Sequence, residues 1–256
     1  MSVYSPKYYD GNINILDTSQ SRLSIVGSRS ILDQTKLVLE NLFDEIKNFN
    51  ICIVSGGMYG VDICAHNLAL LNDMKTIFVL PQGISSYKKS SLNRQLRFKE
   101  NSEYLYISDY PDNFSPRKYT FLERNKIISI VSDVTLVAQA SIKSGSLSTA
   151  FSALRNFKKV IAVPISLHNP QFQGTNYLIG RGCVIYLNPD TVLSHLGINH
   201  LNFDRRILEI IKDGPITISE LVNKLDLRLS LVQKSLLKLI LEGEVSFDGT
   251  KYRYDL

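Results

Sequence analysis

Aromatic and basic residues interleave along Arg117-Lys118-Tyr119-Thr120-Phe121-Leu122-Glu123-Arg124-Asn125-Lys126. Rings set among cations suit the stacking of an unpaired base while its flanking phosphates are gripped. The same residues serve structure if Phe121 and Leu122 enter the core and Arg124 makes a surface ion pair. Loops rich in Gly and Ser offer a second chemistry. Gly27-Ser28-Arg29, Ser55-Gly56-Gly57-Met58-Tyr59-Gly60-Val61-Asp62, Pro81-Gln82-Gly83 and Lys143-Ser144-Gly145-Ser146 each follow a short apolar run and precede a helical pattern or turn. Glycine lets a backbone turn tightly and approach an anion, and the free N–H groups of a helix start hold phosphate oxygens. On this reading the amides at Gly27–Ser28 and Ser144–Ser146 take phosphates, the Ser hydroxyls add donors, and Arg29 and Lys143 add charge.

Other chemistries lack their residues. Ser-Gly-Gly-x-x-Gly is not the dinucleotide fingerprint, and no Gly-Lys-Ser/Thr phosphate loop is present, so no cofactor is expected. Neither a carboxylate pair nor a Ser-His-Asp or Cys-His set falls in these loops, which leaves acid–base catalysis without actors. Cys52, Cys64 and Cys183 are scattered among apolar neighbours and read as reduced core thiols, and the four histidines are equally dispersed, so no metal site is expected. His66 sits in a helical pattern as a packed histidine. Asp62 either orients a phosphate-bound water or accepts hydrogen bonds from loop amides.

The elements that must position these loops follow from the apolar periodicity. Leu23–Val26, Ile51–Val54, Thr76–Leu80, Val134–Ala138 and Val160–Pro164 read as buried strands. Ile31–Ile46, Val61–Leu71, Phe121–Val131, Leu147–Arg155 and Tyr177–Arg181 read as helices between them. Such alternation implies an α/β doubly wound, mostly parallel sheet, with ligands at the carboxyl ends of its strands. Residues 1–20 read as a polar, Tyr-rich arm, 21–198 as the main domain, and 203–256 as a small second domain. In the latter, helix, short helix, the Leu229–Leu241 helix and a hairpin about Asp248-Gly249 resemble a winged helix. That helix brings only Lys234 and Lys238, with Arg228 at its edge, so an interaction role is favoured over duplex reading. The net charge is +5, and residues from Phe203 onward are neutral, so the excess lies in residues 1–202. Lys88, Lys89, Arg94, Arg97 and Lys99 form a run without an intervening acid, either a solvated face or an extension of an anion track. No apolar run approaches membrane-spanning length and no secretory pattern opens the chain, so a cytoplasmic protein is expected.

Taken together, Gly27-Ser28-Arg29, Ser55–Asp62, Phe121–Ile127, Ser144–Ala150 and Gly174-Thr175-Asn176 resemble the DNA-processing protein A family, in the family's order. The resemblance implies an extended Rossmann-like domain that binds single-stranded DNA without sequence preference, forms a homodimer, loads the RecA recombinase during natural transformation and catalyses nothing. It places Arg29 and Lys118 on the DNA backbone, Phe121 against a base with Arg124 and Asn125 in the same segment, and Ser55, Gly56, Gly57, Lys143, Ser144, Gly145 and Ser146 in phosphate-cradling loops. Leu122, Lys126 and the Met58-Tyr59 pair depart from the family pattern, which often has Pro, Arg and Ala-Arg there. The rival reading is a nucleotide-processing enzyme of the phosphoribohydrolase type. That class carries a Pro-Gly-Gly-x-Gly-Thr loop with a nearby catalytic Glu, whereas this chain has Ser144-Gly145-Ser146 and no glutamate close by.

Overall fold

Runs of Val, Ile and Leu too short for stable helices, each ended by Gly, Ser or a polar turn, can satisfy their backbone only by pairing with one another. A computed structural model describes residues 4–16, 20–166, 168–198, 200–225, 227 and 229–255. It divides into two compact units, Met1–Leu196 and Gly197–Leu256.

In the first unit the strands are β1 (Tyr8–Gly11), β2 (Ser21–Gly27), β3 (Ile51–Ser55), β4 (Thr76–Leu80), β5 (Tyr104–Ser108), β6 (Val134–Gln139), β7 (Lys159–Ala162) and β8 (Val184–Ile185). They form one sheet in the order β1-β5-β4-β3-β2-β6-β7-β8. Only β1 runs antiparallel to its neighbour; the other pairings are parallel. The helices are α1 (Asp33–Ile46), α2 (Val61–Leu71), α3 (Ile84–Lys88), α4 (Lys118–Val131), α5 (Ser146–Arg155), α6 (Gln173–Gly180) and α7 (Pro189–His195). β3, β4 and β6 are buried along their whole length, as a parallel sheet covered by helices requires. Val26, Val54, Ile77, Leu105, Val137 and Val160 belong to one core, which also takes Ile128 and Val131 of α4 and Ala150 and Ala153 of α5.

The expected doubly wound sheet is present. The sequence reading lacks β1, β5 and β8. The segment read as an N-terminal arm contributes β1, and a single helical turn after it buries Ile15 and Leu16. β5 reads Tyr-Leu-Tyr-Ile-Ser, and its tyrosines disguise a strand buried from Leu105 to Ser108: Tyr106 is buried and packs 4.7 Å from Phe78.

The second unit contains α8 (His200–Lys212), α9 (Ile218–Leu225), α10 (Leu229–Leu241), β9 (Val245–Phe247) and β10 (Tyr252–Tyr254). Ile207, Ile211, Leu221, Leu225, Val232, Leu236 and Val245 form its own core. The Asp248 carboxylate closes the hairpin by accepting from the amides of Thr250 (3.0 Å) and Lys251 (2.8 Å). Lys238 is engaged by Asp204 at 2.6 Å, and Arg228 lies outside the described residues.

Candidate nucleic-acid interface

The winding reverses between β2 and β6: from β2 the chain proceeds through β3 and β4 to β5 on one side, and from β6 through β7 to β8 on the other. At such a switch point the loops leaving neighbouring strands part, and a crevice opens at the carboxyl ends. A cavity of about 280 Å³ lies there. Its walls are Gly27, Ser28 and Arg29 at the end of β2, Met58 and Asp62 after β3, and Ser144, Gly145 and Ser146 after β6. The fourth wall is α4, where Phe121, Arg124, Asn125 and Ile128 share a face by their i, i+3, i+4, i+7 spacing.

Gln139, the last residue of β6, sets the β2 loop. Its carbonyl accepts the Ser28 amide at 2.8 Å. Its side chain accepts from the Leu32 amide (3.0 Å) and the Thr35 hydroxyl (2.9 Å), and donates to the Ser30 carbonyl (3.0 Å). Arg29 is thereby presented on a fixed turn. Its guanidinium carbon lies 5.2 Å from the Phe121 ring centroid, within cation–π range. Arg29 is exposed and Phe121 half-buried, so a cation and an aromatic face are offered together at the cavity mouth. Sequence reasoning misses Gln139; its signal is a lone amide side chain closing the apolar run Val134–Ala138.

Arg124 does different work. Only 5% exposed, it donates from Nη1 to the carbonyls of Gly56 (2.6 Å) and Val79 (3.1 Å), and from Nε to the Asn125 side chain. Asn125 continues the bracing by donating to the Gly145 carbonyl (3.2 Å) and the Ser148 hydroxyl (2.7 Å). α4 is therefore stitched to β4 and to the loops after β3 and β6 through these two side chains. The purely structural alternative for the segment does not hold: Arg124 is inside rather than in a surface ion pair, and Leu122 is 55% exposed rather than in the core. Buried beside Arg124, Asp62 accepts from the Met58 amide at 3.4 Å; burial pushes its carboxyl above the ordinary range and the Arg124 charge opposes that push. This is the loop-shaping role weighed for Asp62 from the sequence.

The glycine loop after β3 also differs from its expectation. Ser55, Gly56 and Gly57 are buried and do not line the cavity. The Ser55 hydroxyl bonds the Ile25 carbonyl at 2.6 Å. A methyl group on Gly56 would fall 1.6 Å from Arg124 Nη1, and one on Gly60, whose φ is +80°, 2.2 Å from the Ser28 carbonyl oxygen. These glycines make room for the protein's own groups rather than for an anion. Pro81–Gly83 is covered as well, with the Gly83 amide donating to Phe114. Three amides expected at phosphates are spent within the protein, Ser28 on Gln139, Ser144 on Ser141 and Ser146 on the Ser144 hydroxyl at 3.4 Å. Gly145 by contrast faces open space, with nothing within 4 Å of a Cβ built on it. Lys143 is exposed one residue before the lining Ser144, and Lys118 is exposed at the first turn of α4; neither lines the cavity itself.

Among the described residues, no group of three or more His, Cys, Asp or Glu is arranged to hold a metal, and no helix is long and apolar enough to cross a membrane. His66 is fully buried, 2.8 Å from the Thr76 hydroxyl and stacked 3.6 Å from Phe78.

Residues 6–197 match the family model for DNA recombination-mediator protein A. The DNA processing protein DprA of Streptococcus pneumoniae is 31% identical over 73% of this chain and 65% of its own length; that of Bacillus subtilis is 32% identical over 76% and 66%. The chain thus spans just under two thirds of these relatives. The crystal structure of the pneumococcal protein superposes with a TM-score of 0.64 at 30% identity, covering 73% of this chain and 64% of that one. A Helicobacter pylori DNA processing protein A structure, described for its single-stranded DNA binding mode, superposes with a TM-score of 0.62 at 31% identity, covering 75% and 87%. A molybdenum cofactor binding protein of Rippkaea orientalis, 18% identical with a TM-score of 0.50 over 70% of this chain and 96% of that one, shares the fold alone.

Proposed function

The chain belongs to the DNA recombination-mediator protein A family, and from that premise we propose that it binds single-stranded DNA at the cavity between β2 and β6. The observation that carries this reading is the Arg29–Phe121 pair at the mouth, 5.2 Å from cation to ring centroid. A base stacks beside the Phe121 ring while Arg29 and Lys143 neutralise the flanking phosphates, and the open backbone at Gly145 lets a phosphate approach the start of α5. Lys118, exposed at the first turn of α4, meets the backbone beyond the cavity. Arg124, Asn125 and the buried Ser55, Gly56 and Gly57 hold the walls in place. Base stacking contributes roughly 1–3 kcal/mol per base and ignores base identity, which accounts for binding without sequence preference. Duplex DNA binds poorly because its bases are already stacked.

Phosphate contacts release counterions, so affinity falls with salt in proportion to their number. Titration of oligo-dT across a salt series tests the reading. Arg29→Ala and Lys143→Ala each weaken binding and each lower the salt slope by about 0.7; unchanged slopes remove those residues from the site. The phosphoribohydrolase reading is disfavoured because Asp62, already committed to the loop, is the only acid among the described residues lining the cavity. Release of free base from nucleoside monophosphates would restore it.

The remaining family properties are proposed on membership: a cytoplasmic homodimer that hands its strand to a RecA-type recombinase during DNA uptake, without catalysing a reaction. Analytical ultracentrifugation and recombinase co-sedimentation test these, and a monomer that leaves recombinase filament growth unchanged removes them. The second unit is proposed as a winged-helix-like interaction module. Tight duplex binding by a 203–256 fragment at physiological salt overturns that role.

A further inference from the structure

The cavity accommodates little more than one nucleotide, whereas single-stranded DNA grooves commonly track roughly 4–16 nucleotides. A path out of it is built on one side. Met58 lines the cavity and also packs against the cluster that contains Ile84, Tyr87 and Leu92. The next residue, Tyr59, is 40% exposed, and its hydroxyl is held 2.7 Å from the Ser91 hydroxyl. Ser91 sits within residues 84–99, which contain no acid. The two ends of that basic run are neutralised, Lys88 by Asp10 at 2.6 Å and Lys99 by Asp73 at 2.8 Å. Between them Lys89 and Arg94 are exposed and have no side-chain ion pair among the described residues. The segment is braced against the glycine loop from beneath, since the Tyr87 hydroxyl donates to the Gly57 carbonyl at 2.8 Å. An anchored ring thus adjoins the cavity wall, with unpaired cations on the segment that anchors it.

We propose that Tyr59, Lys89 and Arg94 form a second subsite for single-stranded nucleic acid, in which Tyr59 stacks the next base and the two cations take its phosphates. The Ser91 bond fixes the ring before DNA arrives, so little rotamer entropy is lost on stacking. The inference rests on the proposed single-strand binding and extends it from one nucleotide to a directional track across the ends of β3 and β4.

A length series of oligo-dT tests it against the full chain. Tyr59→Ala and the Lys89→Ala/Arg94→Ala pair leave affinity for the shortest bound oligonucleotide unchanged and weaken longer ones by roughly tenfold or more. The double variant lowers the salt slope only for the longer oligonucleotides. Tyr59→Phe, which keeps the ring and loses the Ser91 bond, retains most of the long-oligonucleotide affinity, and Lys99→Ala, whose charge is already paired, changes nothing. If Tyr59→Ala lowers the melting temperature, Lys89→Glu/Arg94→Glu provides the same length test without altering the loop. Wild-type affinity at every length in these variants overturns the subsite and leaves the Arg29–Phe121 cavity standing. An equal loss with Lys99→Ala overturns it too, by showing that net charge alone sets affinity. Failure of the wild-type chain to bind any oligonucleotide overturns the cavity reading, and the subsite with it.

Discussion

At the scale of single residues, two arginines flank one phenylalanine ring and have opposite fates. Arg29 is exposed and close to Phe121, whereas Arg124 is spent on the Gly56 and Val79 carbonyls. Removing an exposed cation costs little stability, but removing a buried one strands its partners. Arg124→Ala is therefore expected to destabilise the fold by about 3 kcal/mol or more, because two carbonyls lose a donor and the buried Asp62 loses its opposing charge. Arg29→Ala weakens binding at unchanged stability. Chemical denaturation beside DNA titration checks the pair, and equal stability losses for both would refute the division of labour. The sequence brought both arginines into the same argument as Phe121 because cations near a ring are visible in one dimension. It did not separate them, since which cation loses its water depends on the β3 and β4 carbonyls contributed from elsewhere in the chain.

At the scale of elements, α5 is informative at both ends. Its first turn opens on the cavity, and its last turn closes on an unusual residue. Phe157 adopts φ 56°, is 98% exposed, and donates its amide to Leu154, while the Lys158 amide donates to Ala153 at 3.0 Å. This is the left-handed helix ending in which glycine is the low-strain choice and a bulky side chain costs about 1–2 kcal/mol. Phe157→Gly is expected to raise the melting temperature, with a gain of about 0.5–1 kcal/mol after the added entropy of the unfolded chain is subtracted. Phe157→Ala retains the backbone cost and gains little, so an equal rise for both variants would show that strain is not the cause. Helices such as α1 and α2 were legible because amphipathic periodicity and glycine loops mark them locally. β5 and β1 were not, because Tyr-Leu-Tyr-Ile-Ser and Tyr-Tyr-Asp-Gly become strands only when neighbouring strands supply their hydrogen bonds.

At the scale of the whole molecule, stability should carry an acid limb. Burial, reinforced by the Arg124 charge, lowers the His66 pKa from its ordinary 6.5 to about 3. Between those values the unfolded chain binds the proton and the folded chain does not, so stability falls as pH drops from about 6.5 toward 3. The slope contributed by this group approaches about 1.4 kcal/mol per pH unit. Asp62, with its carboxyl pushed up by burial, acts in the opposite sense and loses part of its cost as pH falls. His66→Phe keeps a ring against Phe78 and removes the titration, so its melting temperature should decline less steeply over that range; parallel declines would exclude His66 as the source. The sequence by itself determined the alternation of strands and helices, the neutral C-terminal segment and the loops in which the site would lie, because these depend on local pattern and composition. Only the tertiary structure decided that the β2 and β6 loops enclose the cavity, that the β3 glycines are filled by Arg124 and the β2 loop, and that the Pro81–Gly83 loop is closed. Strand order is the physical reason: β2 pairs with β6, more than a hundred residues further along the chain, and the crevice opens where the order reverses.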